Sequence, residues 1–329
     1  MYIGQRETEE RMTTLHQIEK VINNIEKVVV GKRKEIELCL VALMADGHVL
    51  LEDVPGVGKT MLVKSMARSV GAEFKRIQFT PDLLPSDVTG VSIYNQQTQS
   101  FTFRPGPIMA NIVLADEINR TSPKTQAALL ESLEEASITV DGETRVLQKP
   151  FFVMATQNPV EYAGTFPLPE AQLDRFLIKL QIGYPSINEE LEMLRRIDEG
   201  LMIEEIDSVI STEQVLALQK QVGEVLVDVH VKTYIVRLTH ATREHRSVEL
   251  GVSPRGTIAL MKAAQAYALI QGRDYVIPDD VQYLAMNVLS HRIILSTDAK
   301  MANITVEHIV KDILKRVEVP VARRRLTTS

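Results

Sequence analysis

Short apolar runs alternate with amphipathic segments through the first half of the chain. The runs VLLEDV, KRIQFT, NIVLADE, PFFVMAT and FLIKLQI are short, rich in β-branched and aromatic residues and bounded by turn signals, as buried strands are. Between them lie segments such as TMLVKSMARSV and KTQAALLESLEE, whose apolar positions recur at helical spacing. That alternation predicts an α/β fold, a parallel sheet between covering helices. After Gly183-Tyr184-Pro185 the pattern changes to long helical stretches, among them NEELEMLRRIDE, TEQVLALQKQVGEV, PRGTIALMKAAQAYALIQ and PDDVQYLAMNVLSHRI. A second, smaller, all-helical domain is therefore expected over residues 186–329. Pro254 and Pro278 read as first-turn residues, Ser253 as a cap for orphan amides, and Asp279-Asp280 as negative charge where a helix dipole favours it.

Two pairs of runs read as hairpins. Gly90 to Tyr94 and Ser100 to Arg104 flank the polar turn NQQTQ. Ser137 to Val140 and Glu143 to Leu147 are joined by Asp141-Gly142, a dipeptide that supplies the positive φ angles of a tight turn. Either hairpin can touch a substrate protein, or pack as a structural excursion against neighbouring subunits.

Candidate chemistry begins at the end of the first run. Val49 to Leu62 reads as strand, glycine-rich turn and helix start, the order a P-loop requires. In the pattern G-x-x-x-x-G-K-[ST] the first glycine falls at Asp53, leaving Gly56-x-Gly58-Lys59-Thr60 as the matching core. The loop Pro55-Gly56-Val57-Gly58-Lys59-Thr60-Met61 can curl so that successive amides face phosphate oxygens, with Lys59 adding a point charge and Thr60 a magnesium ligand. Asn111 to Glu117 then reads as a buried strand ending in two carboxylates. Asp116 is placed to hold Mg²⁺ through water, and Glu117 to polarise an attacking water. A third strand, Phe151 to Thr156, ends on Gln157-Asn158. Asn158 either orients that same water or serves as the turn residue before Pro159.

Composition narrows the function classes. A chain of 329 residues suits about two domains and buries a core without covalent staples. With 43 acidic against 37 basic residues the formal charge is −6, the wrong sign for a protein that mainly coats nucleic acid. Trp is absent and aromatics are 5%, which gives little stacking surface for single strands. Cys39 is the one cysteine, so no internal disulfide forms, and a thiol inside an apolar stretch suits a reducing compartment. The polar start MYIGQRETEERMTT and the lack of any apolar run near the ~18 residues of a membrane span make a soluble, cytoplasmic protein the expectation.

Taken together, LEDVPGVGKT, LADEINRTSPKTQAALLESLEE, TVDGETRVLQKPFFVMATQNPVEYAGTFPLPEAQLDRF and GVSPRGT resemble the MoxR branch of the AAA+ ATPases, over nearly the whole chain from Ile18 to Arg324. The resemblance implies an N-terminal extension (1–17), an α/β P-loop AAA+ core (18–185) with a helix-2 insert and a presensor-1 hairpin, and a helical lid (186–329). It makes Lys59 and Thr60 the Walker A pair, Asp116 and Glu117 the Walker B pair, Asn158 sensor 1, Arg175 the arginine finger and Arg255 sensor 2. Gly31, in VVVGKRKEIE, falls where such proteins close over adenine. It further implies ATP and Mg²⁺ as ligands, a homo-oligomeric ring (a hexamer) with nucleotide at each subunit boundary, and chaperone-like remodelling or maturation of a protein complex. A partner carrying a von Willebrand factor type A domain fits that picture.

Two other functions remain in view. Relatives with the same hairpin insertions include replicative helicases and the magnesium chelatase motor, so a nucleic-acid client is one alternative; the acidic balance argues against it. A non-catalytic scaffold that binds ATP to fix its assembly is the other, and it has no need of Glu117. Arg120 either reaches a neighbour's phosphate or is a surface arginine. His240 and His245 lack the spacing of a zinc helix and read as a solvated face, and Arg323-Arg324-Arg325 reads as a solvated terminus.

Overall fold

The computed structural model describes residues 2–158, 165–199 and 206–320, with side chains from Met12 onward. Pro159 and Arg323-Arg324-Arg325 lie outside the described residues. The chain divides into two compact units, Met1–Val222 and Gly223–Ser329.

The first unit opens with α1 (Tyr2–Glu26) and α2 (Arg33–Met44), followed by β1 (Val49–Glu52), α3 (Lys59–Ser69), β2 (Phe74–Gln78) and α4 (Pro85–Thr89). The hairpin β3 (Gly90–Asn95) and β4 (Ser100–Pro105) precedes β5 (Ile112–Asp116) and α5 (Pro123–Glu135). A second hairpin, β6 (Ser137–Val140) and β7 (Glu143–Val146), leads into β8 (Phe152–Gln157), α6 (Glu170–Leu173), β9 (Ile178–Leu180), α7 (Ile187–Asp198) and α8 (Thr212–Glu224). The five predicted strands form one parallel sheet in the order β2-β5-β8-β1-β9.

Central strands of this sheet are buried on both faces, which explains why they read as continuous apolar runs instead of alternating ones. Leu50, Val113, Ala115, Val153 and Ala155 share a core with Leu129, Leu130 and Leu133 of α5 and with Phe176. Their strand neighbours Leu51, Leu114 and Met154 are equally buried and point to the opposite face. Each large side chain so buried contributes roughly 1.5–3 kcal/mol. The edge strand β2 differs: Ile77 is buried while Arg76 and Gln78 are exposed on the other face. Both hairpins form as expected, and Asp141 (φ 54) and Gly142 (φ 80) adopt the positive φ angles of a tight turn. Arg145 lies over the Phe103 ring, 4.1 Å from its centroid, so the two hairpins touch.

Among its described residues the second unit is helical apart from one short antiparallel pair and an isolated parallel bridge between Leu226 and Tyr275. It holds α9 (Val229–Arg243), β10 (Val248–Leu250), α10 (Pro254–Ile270), α11 (Pro278–Leu289), β11 (Ile294–Leu295), α12 (Thr297–Met301) and α13 (Val306–Arg316). Leu260, Ala263 and Ala264 of α10, Leu284 and Val288 of α11, and Ile309 and Ile313 of α13 are all buried. Small residues at the α10 contact let the helix backbones approach closely. Ser253 Oγ accepts the Gly256 amide at 3.3 Å, and Pro254 and Pro278 open their helices.

At the end of the sheet remote from the strand C-termini, His48 ties three elements together. Its Nδ1 accepts the Val153 amide at 3.1 Å, its Nε2 lies 3.1 Å from the Leu133 carbonyl, and its ring meets Phe151 edge-on at 5.5 Å. With Nδ1 accepting, the proton sits on Nε2 and donates to Leu133. Burial pushes the imidazole down from 6.5 to about 4. The unfolded chain therefore takes up this proton at higher pH than the folded one. Stability from this residue is fully present above about pH 6.5 and is lost as pH falls toward 4, by roughly 3 kcal/mol in all. Urea unfolding across that window is expected to show a shallower pH slope in His48→Gln than in the wild type; equal slopes would assign the acid sensitivity elsewhere.

Candidate functional site

The sheet order brings the C-terminal ends of β1, β5, β8 and β2 to one edge of the first unit. A cavity of about 230 Å³ opens there, lined by Pro55, Gly56, Gly58, Lys59, Thr60, Met61, Arg76, Gln78, Asp116 and Glu117. Ligands of open α/β sheets bind at this edge, beyond the strand carboxyl ends.

The loop between β1 and α3 forms one wall. Gly56 and Gly58 both have φ of +86°, and no atom lies within 4 Å of where a Cβ would stand. Backbone conformation, and not space, demands glycine at these positions. Gly58 is the cap of α3, so the loop delivers the amides of a helix N-terminus to the cavity, a natural seat for an anion. Lys59 Nζ donates to the Asp53 carbonyl at 3.0 Å, which holds the ammonium over the loop.

Asp53, which stands where the general motif has glycine, has a structural role the sequence does not reveal. It is buried; its Oδ1 accepts the Val54 amide at 3.0 Å, and its Oδ2 accepts the amides of Ile182 at 2.5 Å and Gly183 at 2.9 Å. The carboxylate thus pins the entrance of the phosphate loop to the segment leaving β9. Nearby, Gly31 (φ +71°) approaches α7 so closely that a Cβ would run into the Glu189 carboxylate. Lys32 Nζ donates to the Tyr184 carbonyl at 3.3 Å, so the Gly31 turn and the start of α7 form one assembly.

The opposite wall carries the two carboxylates. Asp116 is the last residue of β5 and is buried, whereas Glu117 turns out of the strand in a left-handed conformation (φ 58, ψ 48). Such a backbone state costs energy in a non-glycine residue and is held by its surroundings. Here the Glu117 amide donates to Thr156 Oγ1 at 2.8 Å, and the Thr156 hydroxyl donates to Asp116 Oδ1 at 2.6 Å. Arg76 donates to Asp116 Oδ2 through Nη2 at 2.6 Å and Nε at 3.2 Å, and to Gln78 Oε1 at 2.7 Å. Gln78 Nε2 in turn donates to Glu117 Oε2 at 2.8 Å. Motif reading does not find Arg76 or Gln78; the available signal is their period-2 spacing on either side of the buried Ile77.

Asn158 follows β8 directly and is buried; its carbonyl lies 3.5 Å from Asn119 Nδ2. Arg120 pairs with Glu117 of its own chain at 3.0 Å. Arg175 stands just past α6 and pairs with Glu134 of α5 at 3.2 Å. Neither Asn158 nor Arg175 lines the cavity. Arg255 belongs to the second unit, where it is the second residue of α10. In that unit His240 lies beside Arg243, and His245 Nε2 is 3.3 Å from Asp312. No helix among the described residues is long and apolar enough to cross a membrane. Cys39 is buried, which pushes its thiol up.

The profile of the ATPase family associated with various cellular activities (AAA) matches residues 48–178, and that of the AAA lid domain matches residues 240–313. The uncharacterized protein YeaC of Bacillus subtilis is 64% identical over 92% of this chain and 95% of its own length. Chaperone MoxR1 of Mycobacterium tuberculosis is 43% identical over 93% of this chain and 83% of its own. Protein MoxR of Paracoccus denitrificans is 32% identical, over 82% and 86%. A crystal structure from Cytophaga hutchinsonii, of a candidate ATPase, superposes with a TM-score of 0.90 at 39% identity, covering 98% of this chain and all of that one. A glycine loop facing paired carboxylates, both matched family profiles and likeness to proteins named MoxR over more than four-fifths of each chain lead to one assignment: the chain belongs to the MoxR family of AAA+ ATPases.

Proposed function

We propose that this protein hydrolyses ATP to ADP and phosphate and uses the difference between the two bound states to remodel or mature a protein complex in the cytoplasm. The observation that carries the proposal is the cavity itself, which sets the anion-binding loop at Gly56 to Thr60 against Asp116 and Glu117. The loop amides and Lys59 hold the phosphates. Thr60 and Asp116 offer a hydroxyl and a carboxylate on the same cavity, hard oxygen donors of the kind that suit Mg²⁺ arriving with a nucleotide. When bound, Mg²⁺ supplies charge neutralisation at the phosphate oxygens. Glu117 orients the attacking water and receives its proton, and Asn158, at the end of the adjacent strand, helps to place that water. Positioned charge contributes most of the rate in such a reaction.

The finger role of Arg175 is supported by its place outside the cavity of its own chain, which suits a group that serves a neighbouring subunit. Arg255 serves as sensor 2 from the lid, and Gly31 lies on the adenine side. We further propose a hexameric ring with nucleotide at each subunit boundary. The name of the mycobacterial relative, Chaperone MoxR1, supports a protein client over a nucleic acid, as does the formal charge of −6. A von Willebrand factor type A domain protein is the proposed partner class. The primary test is Lys59→Ala, which removes the cation facing the β and γ phosphates and is expected to abolish tight ATP binding in calorimetry. Unchanged affinity would sink the phosphate-loop assignment.

A further inference from the structure

The hydrogen bonds around the two carboxylates close into a ring. The Glu117 amide donates to Thr156, the Thr156 hydroxyl to Asp116, Arg76 to both Asp116 and Gln78, and the Gln78 amide returns to Glu117. The donors and acceptors are mutually consistent: Asp116 accepts on both oxygens, and Gln78 is held with its oxygen toward the cation and its nitrogen toward Glu117. The ring has a single cationic member. Arg76 spends two of its donors on Asp116 Oδ2, the oxygen that Thr156 does not engage.

Position reinforces this arrangement. Arg76 and Gln78 stand two residues apart on one face of β2, and the parallel register sets Gln78 opposite Asp116. Asp116 has a side chain only 12% exposed, whereas that of Arg76 is 47% exposed. A carboxylate withdrawn from water gains most from a charge-assisted partner, and the half-exposed arginine has room to leave.

We propose that Arg76 is a positioning residue, a resident counter-ion for Asp116 that gives way to Mg²⁺ and so lets nucleotide bind with less help from the metal. The proposal rests on the reading of Asp116 as the metal-side carboxylate. While Arg76 is on Asp116, as Arg120 is on Glu117, phosphate approaches the loop without meeting an uncompensated negative charge at Asp116. Were Mg²⁺ to draw on Asp116, the guanidinium would be the partner released, because the Thr156 hydroxyl holds Oδ1. The pair thereby weakens the dependence of nucleotide binding on Mg²⁺.

The test measures affinity for fluorescently labelled ADP, which avoids turnover, in EDTA and in millimolar Mg²⁺, for the wild type, Arg76→Gln and Arg76→Lys. Thermal unfolding checks that each variant is folded. In Arg76→Gln, affinity in EDTA is expected to drop about tenfold, the scale of one charge-assisted pair, while affinity in Mg²⁺ changes far less. The Mg²⁺ gain therefore widens about tenfold. Arg76→Lys keeps the charge without the fork and is expected to fall between the two. Equal losses with and without Mg²⁺ would make Arg76 a direct phosphate ligand or a general structural support, and would overturn the proposal. So would an unchanged or narrowed Mg²⁺ gain in either folded variant. Failure of the wild type to bind labelled ADP at all would instead overturn the nucleotide-site reading, and the Arg76 proposal with it.

Discussion

Glu117→Gln is expected to bind MgATP with near wild-type affinity and to turn it over at least ~100-fold more slowly, the usual minimum for loss of a positioned base. The substitution is isosteric, so the left-handed turn at residue 117 and its amide bond to Thr156 need not change. What changes is the charge and basicity of one oxygen pair. The wild-type carboxylate accepts from Gln78 at 2.8 Å and from Arg120 at 3.0 Å, and a carboxamide oxygen can still accept from either. The phosphate loop lies on the other wall of the cavity and keeps Lys59 and its amides. Single-turnover phosphate release, measured beside nucleotide affinity, separates the two effects. Near-normal release would place water activation on another residue, and a parallel loss of binding would mean that the turn itself had collapsed.

Why some of this site is legible in the sequence and some is not has a physical answer. The glycines at 56 and 58 are needed for a local backbone conformation, and Lys59 and Thr60 follow them directly, so a short pattern carries the whole feature. The carboxylates end an apolar strand for a similarly local reason. Arg76, Gln78 and Asp53 act across the sheet. Arg76 meets Asp116 because β2 is the edge strand beside β5, and Asp53 meets the amides of Ile182 and Gly183 because β1 lies beside β9. No short window contains those pairings; they exist once strand order and register are known. In the motif Asp53 is a departure from glycine; in the fold it is a buried anchor for the loop.

The same distinction holds for the fold. The five sheet strands and both hairpins stand out because each is a local run bounded by turn residues. The first helix hides behind its polar start, although Ile18, Val21, Ile22 and Ile25 have the i, i+3, i+4, i+7 spacing of a buried stripe and are all buried. It also runs without a break from Tyr2 to Glu26, across the point at which an N-terminal extension was expected to end. Helical texture begins at residue 187, yet the compact units divide after Val222. Composition marks where strands stop, whereas a domain boundary is set by which helices pack together. Arg196 of α7 donates to the carbonyls of Glu26 and Lys27 at 2.6 Å, and Gln219 of α8 donates to Leu43 at 2.7 Å. Those contacts tie both helices to the N-terminal helices of the first unit.

Arg175→Ala is expected to lose roughly 10³ to 10⁵ in turnover while retaining nucleotide affinity, the effect of removing an arginine that stabilises charge on the transferred phosphoryl group. In its own chain Arg175 pairs with Glu134 and does not line the cavity, so its contribution is expected to be made to the next subunit. Impaired binding in this variant would point to misfolding. The decisive form of the experiment mixes two inactive proteins, Arg175→Ala and Glu117→Gln, under conditions where subunits exchange. Wherever a subunit retaining Glu117 meets a neighbour retaining Arg175, one complete site is rebuilt. Recovered ATPase activity should then rise and fall with mixing ratio and increase with total concentration, because each rebuilt site needs two subunits in contact. If Arg175 serves its own chain, every site in the mixture still lacks one group and no ratio restores turnover. Demonstrated subunit exchange without recovery would refute the shared site, and with it the proposal that nucleotide lies at the subunit boundary.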